Sequence, residues 1–289
     1  MQGIILAGGS GTRLGPVTRA INKHLAPIYD KPMIYYPLTT LILAGVTDIT
    51  FLTTPSALSG FKDLLGDGSQ WGIKIEYEVQ DRPTGIAGGL KIASMNKDDA
   101  IPTLVILGDN IFHGLGLGRQ ISEINFSDKC HIWTQNVKDP ESFGIAHISE
   151  DGDLLGIIEK PSEYIGNNAI TGLYYFPPGL KSTLSNLKKS LRGEFEITEV
   201  LSKYVEADRI QVNKLNRGVY WLDAGTIENL VEVSQFVRSV QSRQGQLIGS
   251  PDEAAYRVNR IQKSDFTKLI SELPKSEYRE ALSQVIAEQ

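Results

Sequence analysis

The sequence is poor in the residues that build disulfide or metal scaffolds. Its 289 residues include one cysteine, Cys130, and four histidines that are scattered along the chain. A single cysteine excludes an internal disulfide, and the scattered histidines lack the spacing of a zinc site. One thiol is typical of a protein in a reducing compartment, so we expect a cytoplasmic location.

Long apolar runs and an excess of positive charge are also missing. No apolar stretch approaches the length that spans a bilayer. Met1 leads directly into a short apolar strand, so we expect neither a signal peptide nor a membrane segment. The formal net charge of −5 gives no overall attraction for nucleic acid. We therefore expect a soluble globular protein with no nucleic-acid or membrane partner.

The sequence does contain a buried strand followed by a glycine-rich loop. Residues 3–7 are apolar, as in a strand inside a parallel sheet. The loop GGSGTRLG has glycines at 8, 9, 11 and 15, together with Thr12 and Arg13. Glycines let backbone N–H groups approach an anion, and a guanidinium suits phosphate. The loop predicts a phosphate site. It is not a Walker A loop, because no Lys-Ser or Lys-Thr pair follows, and Leu14 replaces the third glycine of a dinucleotide fingerprint.

Strand and helix patterns alternate through the first 107 residues. Strands are predicted at 48–54, 73–80 and 103–107, with helices at 33–44 and 86–95 and a helix followed by a glycine-rich turn at 60–72. This alternation predicts an α/β fold, a Rossmann-like, mostly parallel central sheet with helices on both faces. Four strand patterns between 130 and 176 predict a mixed β insertion over the active site. Residues 250–289 predict a C-terminal helical extension that is capped by Ser250 and broken at Pro274.

Charged residues stand where several of these strands end. Asp109 follows the strand at 103–107, and Asp223 follows VYWL; a helix cap is the alternative explanation for Asp109. Acids in these positions face the crevice where open α/β sheets bind ligands, and two carboxylates can hold one Mg²⁺. Glu159-Lys160 is, on residues alone, either an exposed ion pair or a contact for a sugar and its phosphate. The segment 192–199 begins a helix with several acids. Taken alone, these acids are explained by a favourable interaction with the helix dipole.

Ten segments, in order along the chain, carry a resemblance to a known family. They are GIILAGGSGTRL (3–14), DKPMIYYPL (30–38), LLGDGSQWG (64–72), LGDNIF (107–112), FGIA (143–146), EKP (159–161), TGLYYF (171–176), RGEFEIT (192–198), WLDAGT (221–226) and EAAYR (253–257). The chain resembles the sugar-1-phosphate nucleotidylyltransferases, and within them the glucose-1-phosphate thymidylyltransferases. This resemblance implies transfer of a thymidylyl group from dTTP to glucose 1-phosphate, with Mg²⁺ as cofactor and pyrophosphate as the second product.

The same resemblance implies roles for the residues at matching positions. The implied nucleotide-binding residues are Gly8, Gly9, Gly11, Thr12, Arg13, Lys23, Gln80 and Gly85. The implied sugar-phosphate residues are Asn110, Gly144, Glu159, Lys160 and Ile170. Asp109 and Asp223 match the metal ligands, and Arg13, Lys23 and Lys160 are the implied catalytic residues.

The resemblance also implies an organisation beyond the active site. It divides the chain into a core at 1–228 and C-terminal helices at 229–289, which serve assembly or regulation. The core comprises a nucleotide-binding part at about 1–128 and a sugar-binding part at about 129–228. A homotetramer is implied, with dTDP-rhamnose as a feedback inhibitor at a second site. The regions that build that site contain Arg217, Gly218, Val219, Tyr256 and Arg257.

Two glycines depart from the pattern of the long-chain members and leave the substrates open. Gly88 stands where those members carry Gln, and Gly15 where an aromatic residue or His is usual. The same chemistry with UTP, CTP or another hexose 1-phosphate is therefore an alternative. A hypothesis of another class is a non-catalytic regulator that binds nucleotide-sugars.

Overall fold

The protein has a mixed α/β fold in a computed structural model, which describes residues 1–9, 11–124 and 127–287. The strands are β1 (Gln2–Leu6), β2 (Pro27–Ile28), β3 (Lys31–Pro32), β4 (Asp48–Thr53), β5 (Lys74–Val79), β6 (Thr103–Leu107), β7 (Asn110–His113), β8 (Cys130–Asn136), β9 (Gly144–Ile148), β10 (Leu154–Glu159), β11 (Asn168–Phe176), β12 (Ile210–Lys214) and β13 (Tyr220–Asp223). The helices are α1 (Tyr35–Leu43), α2 (Leu58–Leu65), α3 (Ile86–Ser94), α4 (Leu117–Ser122), α5 (Leu180–Leu184), α6 (Ile197–Glu206), α7 (Ile227–Gln244), α8 (Pro251–Arg257), α9 (Lys263–Glu272) and α10 (Glu277–Ala287).

The described strands form one sheet of nine strands and two small ribbons. The order along the main path is β10-β9-β11-β6-β1-β4-β5, while β8 pairs with β11 and β12 with β8. β6, β1, β4 and β5 are parallel, as the sequence predicts. β11 runs antiparallel to β6, with Phe176 opposite Thr103. The mixed strands therefore continue the parallel sheet, a connection that the sequence does not predict.

Helices cover both faces of the sheet, which confirms the predicted fold class. Successive side chains of a strand point to opposite faces, and β1 is apolar on both. Ile4 packs in a core with Leu90 of α3 and Val200 of α6, whereas Ile5 packs in the core that contains Leu38 of α1. Among the described residues, no helix is both long enough and apolar enough to cross a bilayer.

Local signals located most elements to within two residues. The strand predicted at 103–107 is β6, at the same bounds. Ser250 caps α8 as expected, because its hydroxyl accepts a hydrogen bond of 3.2 Å from the Glu253 amide. α9 ends at Glu272, before Pro274, and α10 begins at Glu277, so the predicted break is also confirmed.

The strand β7 is absent from the sequence prediction. It has four residues and pairs antiparallel with β13, so that Asp223 lies opposite Asn110. Its partner is more than 100 residues away, and four residues carry too little periodicity to reveal a strand. This β7–β13 ribbon carries both predicted metal ligands, since Asp109 directly precedes β7 and Asp223 ends β13.

Candidate active site

A cavity of about 500 Å³ opens at the carboxyl ends of the parallel strands. Leu6 of β1, Leu52 of β4 and Leu107 of β6 lie in its wall, at the edge where open α/β sheets bind ligands. The residues predicted for nucleotide, sugar phosphate and metal all line it, namely Gly8, Gly9, Gly11, Thr12, Arg13, Lys23, Gln80, Gly85, Asp109, Asn110, Gly144, Glu159, Lys160, Ile170 and Asp223. Segments that are far apart in the sequence thus form one site.

The glycine loop after β1 packs closely on the segment that carries Lys23. Gly11 has a φ of +62°, and a Cβ there would lie 2.9 Å from the Thr18 methyl group and 3.1 Å from Lys23 Cβ. The Thr18 hydroxyl donates a hydrogen bond of 3.0 Å to the Gly11 carbonyl. Glycine is required at position 11 because both the conformation and the space exclude a side chain.

Lys23 and Asp109 form a nearly buried ion pair in the cavity wall. Burial raises the pKa of Asp109, but the charge of Lys23 and the hydrogen bonds from Lys23 and Asn110 contribute to an opposing effect that holds this pKa below its ordinary value. Burial and the charge of Lys23 together lower the pKa of His24 to about 3. His24 is therefore neutral and contributes no charge to the site.

Asp223 adds a second carboxylate beside Asp109. The Ala224 amide donates a hydrogen bond of 3.0 Å to the Asp109 carbonyl, which fixes the two acids side by side. Burial and the charge of Asp109 raise the pKa of Asp223 to about 6, although Lys23 and Arg13 oppose this. The two carboxylates therefore repel each other, and a cation near both would relieve this repulsion.

The donor set of the cavity fits a metal that shares its ligands with a substrate. Among the residues described, no group of three or more His, Cys, Asp or Glu side chains forms a closed metal site. A pair of carboxylates is nevertheless the set that suits a hard divalent cation, whose other ligands are phosphate oxygens and water. The Asp109–Asp223 pair therefore fits a divalent cation held jointly with a bound phosphate.

Glu159 lies in an acidic cluster on the other side of the cavity, at the end of β10. The Arg192 guanidinium lies 3.2 Å from a Glu159 oxygen and 2.9 Å from a Glu196 oxygen. Burial and Glu196 raise the pKa of Glu159, against the effect of Arg192. The next residue, Lys160, has a φ of +45°, a strained conformation for a side chain other than glycine. Such strain is typical of functional positions.

Another part of the cavity wall is formed by the side-chain amide of Gln80. A Cβ at Gly8 would lie 3.2 Å from Gln80 Nε2, and one at Gly89 would lie 3.1 Å from Oε1. Gln80 is buried, and its Oε1 has no hydrogen-bond partner within the described ranges. Gln80 nevertheless lines the cavity, in keeping with its predicted contact to the edge of a base.

The unusual Gly88 has a packing reason. A Cβ at Gly88 would lie 2.2 Å from the Thr84 hydroxyl, so Thr84 occupies the space of any side chain there. The backbone around it is tied to the loop before α6, because the Phe195 amide donates to the Thr84 carbonyl at 2.8 Å. Gly85 has a φ of +89°, and a Cβ there would lie 2.4 Å from the Phe195 carbonyl. Gly88 and Thr84 thus form a matched pair.

The residues predicted for a second, regulatory site lie away from this cavity and are not in its lining. Tyr256 stacks on Phe266 with the ring centroids 4.5 Å apart, and Arg257 pairs with Glu253. Gly218 and Val219 pack against Gly114, which follows β7. Their role, like that of Arg217, stays a prediction.

Comparison with known proteins identifies the type of protein to which this cavity belongs. The model of the nucleotidyl transferase family matches residues 2–240. The chain belongs to this nucleotidyl transferase family. Similar family members include the glucose-1-phosphate thymidylyltransferases of Mycobacterium tuberculosis strain CDC 1551 / Oshkosh and of Neisseria gonorrhoeae. Each is 42% identical over 99% of both chains.

Solved structures agree with this assignment to the nucleotidyl transferases. A candidate glucose-1-phosphate thymidylyltransferase from Bacillus anthracis, in complex with sucrose, has a TM-score of 0.76 and 36% identity. The match covers 82% of this chain and 95% of the other. A UDP-glucose pyrophosphorylase has a TM-score of 0.72 over 82% of this chain and 98% of its own; at 21% identity it shows the fold alone.

Several cavity residues of this nucleotidyl transferase were not predicted as site residues. They include Arg192, Glu194, Glu196 and Thr198 before and at the start of α6, and Trp221 in β13. Their signal lay in two segments of the family resemblance, RGEFEIT and WLDAGT. The explanation of these acids by the helix dipole was incomplete, because Glu196 pairs with Arg192 in the lining of the cavity.

Gly225 provides a first test of the site in this nucleotidyl transferase. A Cβ there would lie 2.9 Å from an Asp223 oxygen and 3.1 Å from an Arg13 nitrogen. We expect Gly225→Ala to displace both side chains and to lower kcat/KM by about 10-fold or more, because misplaced groups lose orientation. Gly156→Ala is the matched control, since its Cβ meets nothing within 4 Å. Steady-state kinetics in which both variants matched the wild type would contradict the proposed closeness of Arg13 and Asp223.

Proposed function

We propose that the protein transfers a thymidylyl group from dTTP to glucose 1-phosphate, giving dTDP-glucose and pyrophosphate. The observation that carries this proposal is the single cavity in which the glycine loop, the buried Gln80 amide and the Glu159-Lys160 pair meet two carboxylates. Relatives named glucose-1-phosphate thymidylyltransferase, 42% identical over 99% of the chain, support the choice of substrates.

The reaction needs positioned charges rather than a proton acceptor. A phosphate oxygen of the sugar attacks the α-phosphorus of dTTP, and a new P–O bond forms. The bond from the α-phosphorus to the bridging oxygen breaks, and pyrophosphate leaves with that electron pair. The attacking oxygen is already anionic, so no general base is required. A buried, neutral His24 is in keeping with this chemistry. Catalysis then consists of in-line positioning and charge neutralisation.

Each of the three predicted catalytic residues has a distinct task in this proposal. Arg13, in the glycine loop beside Gly225, neutralises the departing pyrophosphate. Lys160, at the end of β10, holds the attacking phosphate, and Glu159 accepts hydrogen bonds from sugar hydroxyls. Lys23 fixes Asp109 and adds positive charge to the nucleotide side.

We further propose that the divalent cation is Mg²⁺, held by Asp109 and Asp223 together with the nucleotide phosphates. When bound, it supplies charge neutralisation at those phosphates. The adjacent Asp109 and Asp223 carboxylates support this choice, as does the preference of Mg²⁺ for few carboxylates plus phosphate oxygens.

One experiment tests the substrates and the metal together. Pyrophosphate release is measured with dTTP, UTP and CTP, each crossed with a panel of sugar 1-phosphates, in Mg²⁺ or in EDTA. We expect the highest kcat/KM for dTTP with glucose 1-phosphate, and no turnover in EDTA. A higher value for another pair would replace these substrates with the alternative ones. Tight binding of nucleotide-sugars without turnover of any pair would favour the non-catalytic regulator.

The proposal includes an assembly with feedback control, as expected from the sequence. We propose a cytoplasmic homotetramer in which residues 217–219 and α8 form a second nucleotide-sugar site. A second site that is coupled to the first changes the rate without excluding dTTP. We therefore expect dTDP-rhamnose to inhibit in a way that saturating dTTP does not relieve. Purely competitive inhibition against dTTP would contradict this second site.

A further inference from the structure

The side-chain amide of Asn110 is held in one orientation by two groups that can only donate. The indole Nε1 of Trp221 and the backbone N–H of Gly172, at 3.2 Å, both reach its Oδ1. An indole N–H and a backbone N–H can only donate, so the Asn110 atom that they contact must be the oxygen. The Asn110 side chain is buried, and its Nδ2 is thereby directed to the opposite side.

The nitrogen of that amide then determines how the Asp109 carboxylate is turned. Asn110 Nδ2 donates a hydrogen bond of 2.9 Å to Asp109 Oδ1, while Lys23 contacts Oδ2. Each oxygen of the Asp109 carboxylate therefore has its own partner. Both oxygens keep further lone pairs that can bind a cation. Without the amide, the contact with Lys23 would be left to set the rotation of the Asp109 carboxylate.

Trp221 is well placed to anchor this chain of contacts. It lies in β13 opposite Phe112 of β7, two residues before Asp223, so the anchor and both carboxylates share one ribbon. Its ring is buried and meets Phe143 edge to face, with the ring centroids 5.3 Å apart. The indole therefore has little freedom to move away from Asn110.

We propose that Trp221 and Asn110 are positioning residues for the metal site. The indole N–H fixes the Asn110 amide, and the amide holds the Asp109 carboxylate in the orientation that receives the divalent cation of the nucleotide. This inference rests on the proposed function, because that function assigns the cation to Asp109 and Asp223. It adds to the role in sugar-phosphate binding predicted for Asn110, whose second N–H remains available to the cavity.

The size of the expected effect follows from other metal sites. Groups that hydrogen-bond to a metal ligand, without touching the metal, typically change metal affinity by about 10- to 100-fold when they are removed. A loss of this size in metal affinity, with nucleotide affinity otherwise unchanged, is the signature of a positioning residue. A general loss of structure would weaken both.

The experiment measures binding rather than turnover. Isothermal titration calorimetry gives the Kd of the non-reacting analogue α,β-methylene-dTTP, once with saturating Mn²⁺ and once in EDTA. The ratio of the two constants is the contribution of the metal, and it cancels any change in nucleotide binding alone.

Three variants reach the same amide from different sides. Trp221→Phe removes the indole N–H but keeps an aromatic ring, and Asn110→Ala removes the amide. Gly172→Ala places a Cβ 2.7 Å from Asn110 Cγ and so displaces the amide, while the indole N–H and the backbone N–H of residue 172 are both retained. Trp133→Phe is the matched control, because Trp133 is buried and its indole nitrogen has no partner in the described part of the chain. Circular dichroism and Tm establish that each variant is folded.

We expect the metal contribution to fall by about 10-fold in Trp221→Phe and Gly172→Ala, and by more in Asn110→Ala. The Kd in EDTA should stay within about two-fold, and Trp133→Phe should equal the wild type. A wild-type metal contribution in the folded variants would overturn the inference while leaving the proposed function intact. Absence of any metal contribution in the wild type would instead overturn the metal assignment, and the inference with it.

Discussion

Arg13→Ala is expected to lower kcat by at least about 100-fold while leaving the fold intact. Arg13 lies beside Gly225 at the mouth of the glycine loop, where the proposed leaving group collects negative charge. A guanidinium placed there stabilises the transition state more than the ground state, so kcat should suffer more than KM. Pyrophosphate release, followed at saturating dTTP and glucose 1-phosphate, measures the loss.

Arg19→Ala is the control for this variant. Arg19 is exposed, belongs to the same N-terminal segment and is not part of the cavity lining. We expect Arg19→Ala to retain wild-type kcat. This result would show that the loss in Arg13→Ala depends on where the positive charge lies, and not only on the change in net charge. If Arg13→Ala, with an unchanged Tm, kept a kcat within a few-fold of the wild type, the assignment of Arg13 to the leaving group would be wrong.

Asp109→Asn is expected to cause a loss of similar size, at least about 100-fold in kcat. The substitution keeps the shape of the side chain but removes the charge that Lys23 and the proposed cation share. It also leaves the nearly buried Lys23 ammonium without its counter-ion, which costs stability when a buried pair is broken. The rate is measured over a range of Mg²⁺ concentrations, and Tm is recorded alongside.

The matched variant is Asp81→Asn, which removes an exposed carboxylate next to Gln80 that does not line the cavity. It should leave kcat and its Mg²⁺ dependence unchanged. A folded Asp109→Asn enzyme with the Mg²⁺ dependence and kcat of the wild type would exclude Asp109 as a metal ligand. In that event the cation site would have to be sought elsewhere in the cavity.

Features of the fold that depend on local pattern were predictable from the sequence. An apolar strand that leads into glycines located β1 and its loop, and the alternation of strands and helices led to the parallel sheet. Asp109 was recognised because an acid at the end of β6 faces the crevice. The proline at 274 and the cap at Ser250 fixed helix ends, since both act within one turn.

Features that depend on contacts between distant segments were not predictable. The β7–β13 ribbon joins two four-residue strands that are more than 100 residues apart. The hydrogen bond from Trp221 to Asn110 was not predictable for the same reason, since the two residues are also far apart in the sequence. Gly88 stood out only as a departure from the family pattern, because its reason is the Thr84 side chain packed above it. Such pairs appear only when the chain is folded.

The antiparallel pairing of β11 with β6 bears on how the enzyme can move. These two strands join the proposed nucleotide-binding and sugar-binding sides of the cavity through backbone hydrogen bonds, from Leu173 opposite Ile106 to Phe176 opposite Thr103. A hinge between the two sides would have to break this ladder, so closure around the substrates is left to the connecting loops. Substrate preference can then change through loop residues, such as those at 83–85 and 190–196, while the sheet stays as it is.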